Sequence, residues 1–455
     1  MKTTYQLVVI GGGAAGFSAV IAAADAGADV LLISDGPLGG TCVNYGCVPT
    51  KTLLYKLAET RLHGNQLQIQ DLVKQAVNVS TMLRGEKYES LLDKLGIDYI
   101  QGRARFAGKQ TIEVGGREIK FEKAVIAVGG KTWIPPIPGI QKASKYLLDN
   151  EKLFSDPPGI EKIVIIGGRA QGVEIAQIMA RGGVDTTLIQ RSPRLLPLEE
   201  PEVGTILKQV LENDGVKVYT GTKINRVEAG ESDVSVYFEH DGDSLSVEAD
   251  YIYLATGRKP RLEYLSPEKA GVKISSDGYI VVDEYLRASE HVYAAGDCIN
   301  GFMLEPVAAK EGYTAALNAL GGRYKIDYTI IPRAVFTDPE YARVGLTEEE
   351  LSKKIGACAC RLVKLRELPK AKILGREEGF AKMVIDPRNK RIVGFHIVSP
   401  YASEIIHEAT LAIRAGMTID DIIDTIHVFP TVSEIVKYTA LAFYRDISKM
   451  PCCLV

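Results

Sequence analysis

Leu7-Val8-Val9-Ile10-Gly11-Gly12-Gly13-Ala14-Ala15-Gly16 opens the chain with a strand-length apolar run that passes directly into a glycine cluster of GxGxxG spacing. The alanine-rich stretch from Phe17 to Ala26 has helical texture, and a second apolar run, Val30 to Ile33, follows it. Strand, tight turn, helix, strand is the grammar of a nucleotide-binding unit. In that setting Gly11, Gly13 and Gly16 leave backbone N–H groups and a helix N-terminus free to face a pyrophosphate. A ligand-free glycine turn would carry the same glycines; the strand before them and the helix after them favour a bound dinucleotide. An acid about 20 residues further on normally takes the ribose. Here Ser34 ends the second strand and Asp35 follows it, so the contact is expected one position late.

The same grammar returns at Lys162 to Ile166, Gly167 to Gly172, Val173 to Arg181 and Thr186 to Ile189. Gly167 and Gly172 keep the ends of the pattern, while Arg169 takes its middle position. Gln190 stands where an acid would select an unphosphorylated ribose, and Arg191 and Arg194 follow, two guanidiniums suited to a 2′-phosphate. NADPH is therefore expected over NADH, the alternative being two solvated surface arginines. Strand-like Val234 to Phe238 and Tyr251 to Ala255 come next. From about Ile331 the texture changes to α+β, with strands near Ala334 to Phe336, Lys382 to Ile385 and Ile392 to Val398, and helices near Ala402 to Ala415 and Ser433 to Tyr444. The proline-rich Trp133 to Pro138 reads as a linker. The expected organisation is a first nucleotide-binding domain over 1–140, a second over 141–263, a return to the first over 264–330, and a C-terminal domain over 331–455.

At 455 residues the chain has room for about three domains. Its 54 basic and 57 acidic side chains leave a net charge of −3, so no whole-molecule field favours nucleic acid or an acidic membrane. No apolar run reaches the ~18 residues a membrane span needs. Lys2 to Tyr5 lead straight into the first strand with no secretory leader, and seven cysteines in such a length are not a secreted disulfide framework. A reducing, cytoplasmic setting is expected.

Two of those cysteines lie five apart, in Cys42-Val43-Asn44-Tyr45-Gly46-Cys47. On a regular α-helix their Cα atoms would be about 8.7 Å apart, and beyond ~7 Å a disulfide cannot close. They can bridge only where the helix is distorted, with Gly46 and Pro49 expected to supply the freedom and the break. A helix N-terminus there would lower the thiol pKa and favour thiolates.

The flanks of this pair, Gly39-Gly40-Thr41-Cys42-Val43-Asn44-Tyr45-Gly46-Cys47-Val48-Pro49-Thr50-Lys51, resemble the redox-active centre of the flavoprotein disulfide reductases, the family of glutathione reductase, dihydrolipoamide dehydrogenase and mercuric reductase. Ala255-Thr256-Gly257-Arg258-Lys259-Pro260, Ala294-Ala295-Gly296-Asp297 and Val335-Phe336-Thr337-Asp338-Pro339-Glu340 are similar to later motifs of that family. The resemblance implies a glutathione-reductase-like α/β fold, with two Rossmann-like domains for FAD and NADPH and a C-terminal α+β dimerisation domain. It places Gly11, Gly13, Gly16, Asp35, Gly40, Thr41, Gly257 and Asp297 on FAD, with Asp297 at the ribityl chain. It places Gly167, Gly172, Arg191 and Arg194 on NADPH. Lys51 would lie near the flavin N5 and pair with Glu174, and Cys47 would be the thiol beside the isoalloxazine ring.

Within the family, enzymes acting on organic disulfides carry His-Pro-Thr-x-Ser-Glu near the C-terminus, where the histidine is the acid. Here the stretch is Phe429-Pro430-Thr431-Val432-Ser433-Glu434, and a phenyl ring carries no proton. His427 is the possible substitute. The chain ends Pro451-Cys452-Cys453-Leu454-Val455, which resembles the vicinal terminal cysteines of the mercuric reductases, and Lys87-Tyr88-Glu89 is similar to a motif of that branch whose tyrosine lies at the metal site. These likenesses imply a homodimer with active sites at the subunit interface, in which Cys452 and Cys453 of one subunit take Hg(II) from small-molecule thiols and pass it to Cys42 and Cys47 of the other. Ala170 would leave the nicotinamide approach open. A bare catalytic core is expected, without an N-terminal metal-capture domain. The alternatives are a thiol-disulfide reductase and, in another class, a flavoprotein that sequesters soft metal without turnover. Cys298 reads as core, and Cys358 and Cys360 as surface or packing.

Overall fold

Leu7, Val8 and Val9 are fully buried, because the strand Thr4–Ile10 lies in the parallel part of a mixed sheet, between two parallel neighbours. It pairs in parallel with Val30–Ser34 on one side and Arg117–Ile126 on the other. The computed structural model describes residues 2–63 and 69–451, which divide into two units. The first comprises Met1–Pro136, Lys145–Ile160 and Tyr253–Ile326, and the second Ile137–Ser144, Glu161–Ile252 and Asp327–Val455.

In the first unit the sheet order is Asp98–Gln101, Val30–Ser34, Thr4–Ile10, Arg117–Ile126, Thr111–Val114, Ala104–Gly108, and Val292–Ala294 pairs in parallel with Arg117–Ile126. The helix Ala14–Asp25 packs on Glu305–Ala319. Their approach is so close that a Cβ on Gly312 would lie 1.8 Å from the Ala15 carbonyl oxygen. After the cysteine pair come the helices Cys47–His63 and Ile69–Arg84, a π-helical turn Gly85–Glu89, and Ser90–Leu95.

In the second unit Lys162–Ile166, Asp185–Gln190 and Lys217–Thr220 form parallel pairs beside the helix Ala170–Arg181. Lys223–Ala229, Val234–His240 and Asp243–Ala249 make an antiparallel three-stranded sheet. Its outer strands are largely exposed and polar, so only the central one was legible as a strand. The C-terminal part is a five-stranded antiparallel sheet in the order Arg333–Val335, Glu340–Gly345, Ile392–Ser399, Phe380–Ile385, Ala359–Lys364. The helices Ala402–Ala415 and Glu434–Leu441 accompany it and share its core. The fold class is thus the expected one: α/β, with two nucleotide-binding units and an α+β C-terminal part.

Candidate active site

The cysteine pair sits where one helix stops and another starts. Gly39, with φ +86°, leads into the short helix Gly40–Asn44, which ends at Tyr45, and Cys47 begins the next helix. Gly46 closes the junction: a Cβ there would lie 2.9 Å from the Thr41 carbonyl oxygen and 3.3 Å from the Cys42 Cα. Pro49 does not supply the break. It occupies the first turn of Cys47–His63, where a missing N–H costs no intrahelical hydrogen bond.

Both cysteines stand as thiols, with Cys42 half-buried and Cys47 exposed. The expectation that a helix N-terminus keeps them as thiolates fails for Cys42. Its hydrogen bond with Cys47 raises its pKa far above the usual thiol value, and burial and the charge of Cys47 act in the same sense. Ionising one sulfur opposes ionising the other.

A polar brace fixes this junction. Asn44 Nδ2 donates to the Leu38 and Gly40 carbonyls at 2.9 and 2.8 Å, and its Oδ1 accepts from Arg84 at 3.0 Å. Arg84 also pairs with Glu89 at 3.2 Å, across the π turn that carries Tyr88. Tyr88 packs edge-on against Phe17, with ring centroids 4.7 Å apart. Burial raises its phenol, and the charges of Cys42, Glu305 and Cys47 add to the effect. The structure therefore brings Tyr88 to the cysteine pair, and Glu305 with it. Glu305, the first residue of the helix Glu305–Ala319, is itself raised by burial. No motif flagged it, and a lone acid before a proline at a helix start gave no signal.

Beside the pair is a 430 Å³ cavity lined by Gly11, Gly12, Gly13, Ser34, Asp35, Gly40 and Thr41, among others. Its floor is closed to side chains. A Cβ on Gly11 would lie 2.2 Å from the Ala127 carbonyl oxygen, and one on Gly16 would lie 1.7 Å from that of Gly11. Gly40, at φ +58°, touches Gly13 so closely that a Cβ would come within 2.6 Å of the Gly13 Cα. Such a glycine-walled cleft at a helix N-terminus fits a dinucleotide pyrophosphate. Asp35 lies 3.7 Å from Arg103. Arg258, which the sequence reading left without a role, links two expected cofactor residues, pairing with Asp297 at 3.1 Å and donating to Thr41 Oγ1 at 3.3 Å. Gly257, at φ +104°, turns the chain just before it.

In the second unit Gly167 has φ +111° and Gly172 is buried in the helix Ala170–Arg181. Gln190 spends its side-chain oxygen on the Gly168 N–H at 3.0 Å. Arg191 is exposed, and Arg194 donates to the Pro197 carbonyl at 3.1 Å. Lys51 lies in the helix Cys47–His63 of the first unit. Glu174 is buried in the second and accepts from the Phe336 N–H at 2.9 Å.

Near the C-terminus Glu434 is buried and turned back on its own loop, accepting from the Thr431 N–H at 3.0 Å. His427 pairs with Glu408 at 2.8 Å. That hydrogen bond raises the imidazole pKa, against the lowering effect of burial. Phe429 is exposed. Cys452 and Cys453 lie outside the described residues. Cys298 is fully buried and donates to the Ala295 carbonyl at 3.2 Å, as a core thiol should. Among the described residues no group of three His, Cys, Asp or Glu side chains is placed to hold a metal ion.

Residues 5–312 match the family model for pyridine nucleotide-disulphide oxidoreductases, and residues 331–440 match that family's dimerisation domain. The chain belongs to this family. FAD and NADPH are accordingly the cofactors of this oxidoreductase, and its dimerisation domain supports a homodimer. A mercuric reductase of Staphylococcus aureus is 36% identical over 99% of this chain and 84% of its own length. A dihydrolipoyl dehydrogenase of Thermus scotoductus is 37% identical over 97% of this chain and 98% of its own. Among solved structures, the HOCl-induced flavoprotein disulfide reductase RclA of Escherichia coli superposes with a TM-score of 0.86 at 28% identity, covering 96% of this chain and 99% of that one.

Proposed function

We propose that this oxidoreductase reduces Hg(II) to Hg(0) with NADPH, the ion being held by Cys42 and Cys47. The observation that carries the reading is the C-terminal loop. Where organic-disulfide reductases resemble one another in placing an acid-bearing imidazole before the glutamate, this chain has the exposed Phe429, and Glu434 is occupied by a backbone N–H of its own loop. The mercuric reductase relatives, which align with nearly the whole chain, support the same reading.

Bound FAD would supply the two-electron link between NADPH and the thiol pair. The chain would do the rest. Gly11, Gly13, Gly16, Gly40 and Thr41 would seat the dinucleotide, with Asp35 and Asp297 on its sugar and ribityl hydroxyls. Gly167, Gly172, Arg191 and Arg194 would seat NADPH. Lys51 would set the charge near the reacting ring.

Thiols are the ligands of choice for a soft cation. Cys42 and Cys47 would take Hg(II) from two carrier thiols, each cysteine proton passing to a departing carrier thiolate. Cys452 and Cys453 of the partner subunit would perform the same exchange one step earlier, so that no bare ion forms. Two electrons then convert Hg(II) to Hg(0), which binds thiolates poorly and leaves. The balance is NADPH, one proton and a dithiolate complex of Hg(II) giving NADP⁺, Hg(0) and two thiols. The Tyr88 phenol, kept protonated by its raised pKa, would remain a hydrogen-bond donor to the ligated sulfurs.

A second reading, reduction of an organic disulfide, is favoured by the His427–Glu408 pair, whose hydrogen bond raises the pKa of an imidazole near the C-terminal loop, and by the dihydrolipoyl dehydrogenase relative. NADPH oxidation measured with Hg(II) in excess thiol, against lipoamide and glutathione disulfide, separates the two. Sequestration without turnover would stop after a stoichiometric burst.

A further inference from the structure

The second unit holds another cysteine pair. Cys358 precedes, and Cys360 lies within, the strand Ala359–Lys364, the last in its sheet order. Cys360 projects from one face of that strand, and Cys358, just before the strand begins, reaches the same carboxylate. Lys382 sits opposite Leu362, two residues beyond Cys360, and shares that face.

Above the face is Glu348, the first residue of the helix Glu348–Ile355. Cys358 Sγ donates to its Oε1 at 3.6 Å, and the Cys360 thiol donates to the same carboxylate. Lys382 Nζ lies 2.8 Å from Glu348, 2.8 Å from Glu200 and 3.2 Å from Glu202. Three carboxylates thus surround one buried ammonium, and two thiols hang on one of them, Glu348.

This surplus of negative charge decides what the sulfurs can hold. Burial, then the hydrogen bond and charge of Glu348, push the Cys360 thiol up to about 12, and Cys358 moves the same way. The field favours positive charge at sulfur, either one proton on each or one cation in place of both. Hard cations prefer oxygen, but the carboxylates here already share Lys382, and no three-ligand cage exists among the described residues. Two sulfurs on one carboxylate instead suit a soft ion of low coordination number, bound through metal–sulfur bonds of about 2.3 Å.

We propose that Cys358 and Cys360 form a two-sulfur binding site for a thiophilic metal cation, with Glu348 and Lys382 as its hydrogen-bonded frame. Loading from a dithiolate complex balances without other reactants. Two metal–carrier bonds break, two metal–cysteine bonds form, and the two cysteine protons leave on the carrier thiols. The site does not depend on the turnover reading, because it can fill without NADPH.

The test uses the FAD-loaded full chain with no NADPH, carrying Cys42→Ser and Cys47→Ser to remove the first pair and Cys452→Ser and Cys453→Ser to silence the tail. Hg(II) is supplied as its glutathione complex, and bound metal is measured after gel filtration. About one Hg(II) per subunit should be retained. Adding Cys358→Ala or Cys360→Ala alone should abolish retention while leaving the flavin spectrum unchanged, which confirms that the variants fold. Equal metal content with and without these substitutions would overturn the proposal. So would no retention in either protein, or an intact mass showing Cys358 and Cys360 already joined as a disulfide in the enzyme as purified.

Discussion

Two cysteine pairs in one chain occupy opposite surroundings. Cys42 and Cys47 are divided by a helix junction and lie beside a glycine-walled cleft, with Tyr88 and Glu305 as their electrostatic neighbours. Cys358 and Cys360, at the start of a sheet-edge strand, hang on a carboxylate that a buried lysine already holds. Cys42 in the first pair and both thiols of the second resist ionisation, but for different reasons. At Cys42 the hydrogen bond with Cys47 comes first, then burial, so that the two sulfurs of the first pair give up their protons one after the other. In the second pair burial and then the Glu348 carboxylate oppose ionisation, which suits static exchange of protons for a cation.

The largest effect expected from this contrast is on turnover. Cys42→Ala or Cys47→Ala should lower NADPH-driven Hg(II) reduction about 10³-fold or more with flavin still bound, while Cys358→Ala should leave it within about twofold, as read by NADPH absorbance. The reverse ranking would break the distinction.

The glycine floor provides the next test. Gly16→Ala forces a Cβ to 1.7 Å from the backbone oxygen of Gly11, and Gly168→Ala first meets the side-chain Cδ2 of Leu195 at 2.6 Å, which can turn away. Thermal denaturation should show a loss of about 4 kcal/mol or more, with flavin release, for the first and about 1 to 2 kcal/mol for the second.

A third effect is acid sensitivity near the second pair. His396 is fully buried, and desolvation, then the charge of Arg343, lower its pKa to about 4. Because the unfolded chain takes up a proton at about pH 6.5 and the folded one does not, stability falls as pH drops from 6.5 toward 4, by about 3 kcal/mol at most. His396→Gln should flatten that part of an acid-unfolding curve.

The smallest concerns His427, raised by its hydrogen bond to Glu408. This contribution is fully present below about pH 6.5 and disappears as pH rises through the folded pKa. Glu408→Gln should therefore cost about 1 kcal/mol or less at pH 6 and nothing in alkali. It should leave Hg(II) reduction intact, whereas a fall in disulfide reduction would favour the second reading.

Much of this was legible before any coordinates. The runs Leu7 to Ile10 and Lys162 to Ile166 are strands, and the glycines after them turn into helices, because fully buried parallel strands read as unbroken apolar runs. The spacing of Cys42 and Cys47 demanded a distorted helix, and the structure has two helices there. The helix Cys47–His63 was not legible along its length, because its apolar residues make no clear stripe. The strands Glu340–Gly345 and Ala359–Lys364 escaped notice because arginines and lysines interrupt them. Arg343 is buried only because Glu199 and Glu350 reach it from other elements, at 3.1 and 2.8 Å. The role of Glu348 as a common acceptor for two thiols depends on the same kind of tertiary proximity, which spacing along the chain does not encode.

The central claim is that electrons from NADPH leave through Cys42 and Cys47 onto a soft metal ion, and trapping elemental mercury in the gas stream above a steady-state reaction tests it most directly. With NADPH, excess small-molecule thiol and Hg(II), mercury vapour is expected in proportion to the NADPH consumed over many turnovers. NADPH consumed without vapour, or vapour undiminished in the Cys47→Ala enzyme, would contradict it.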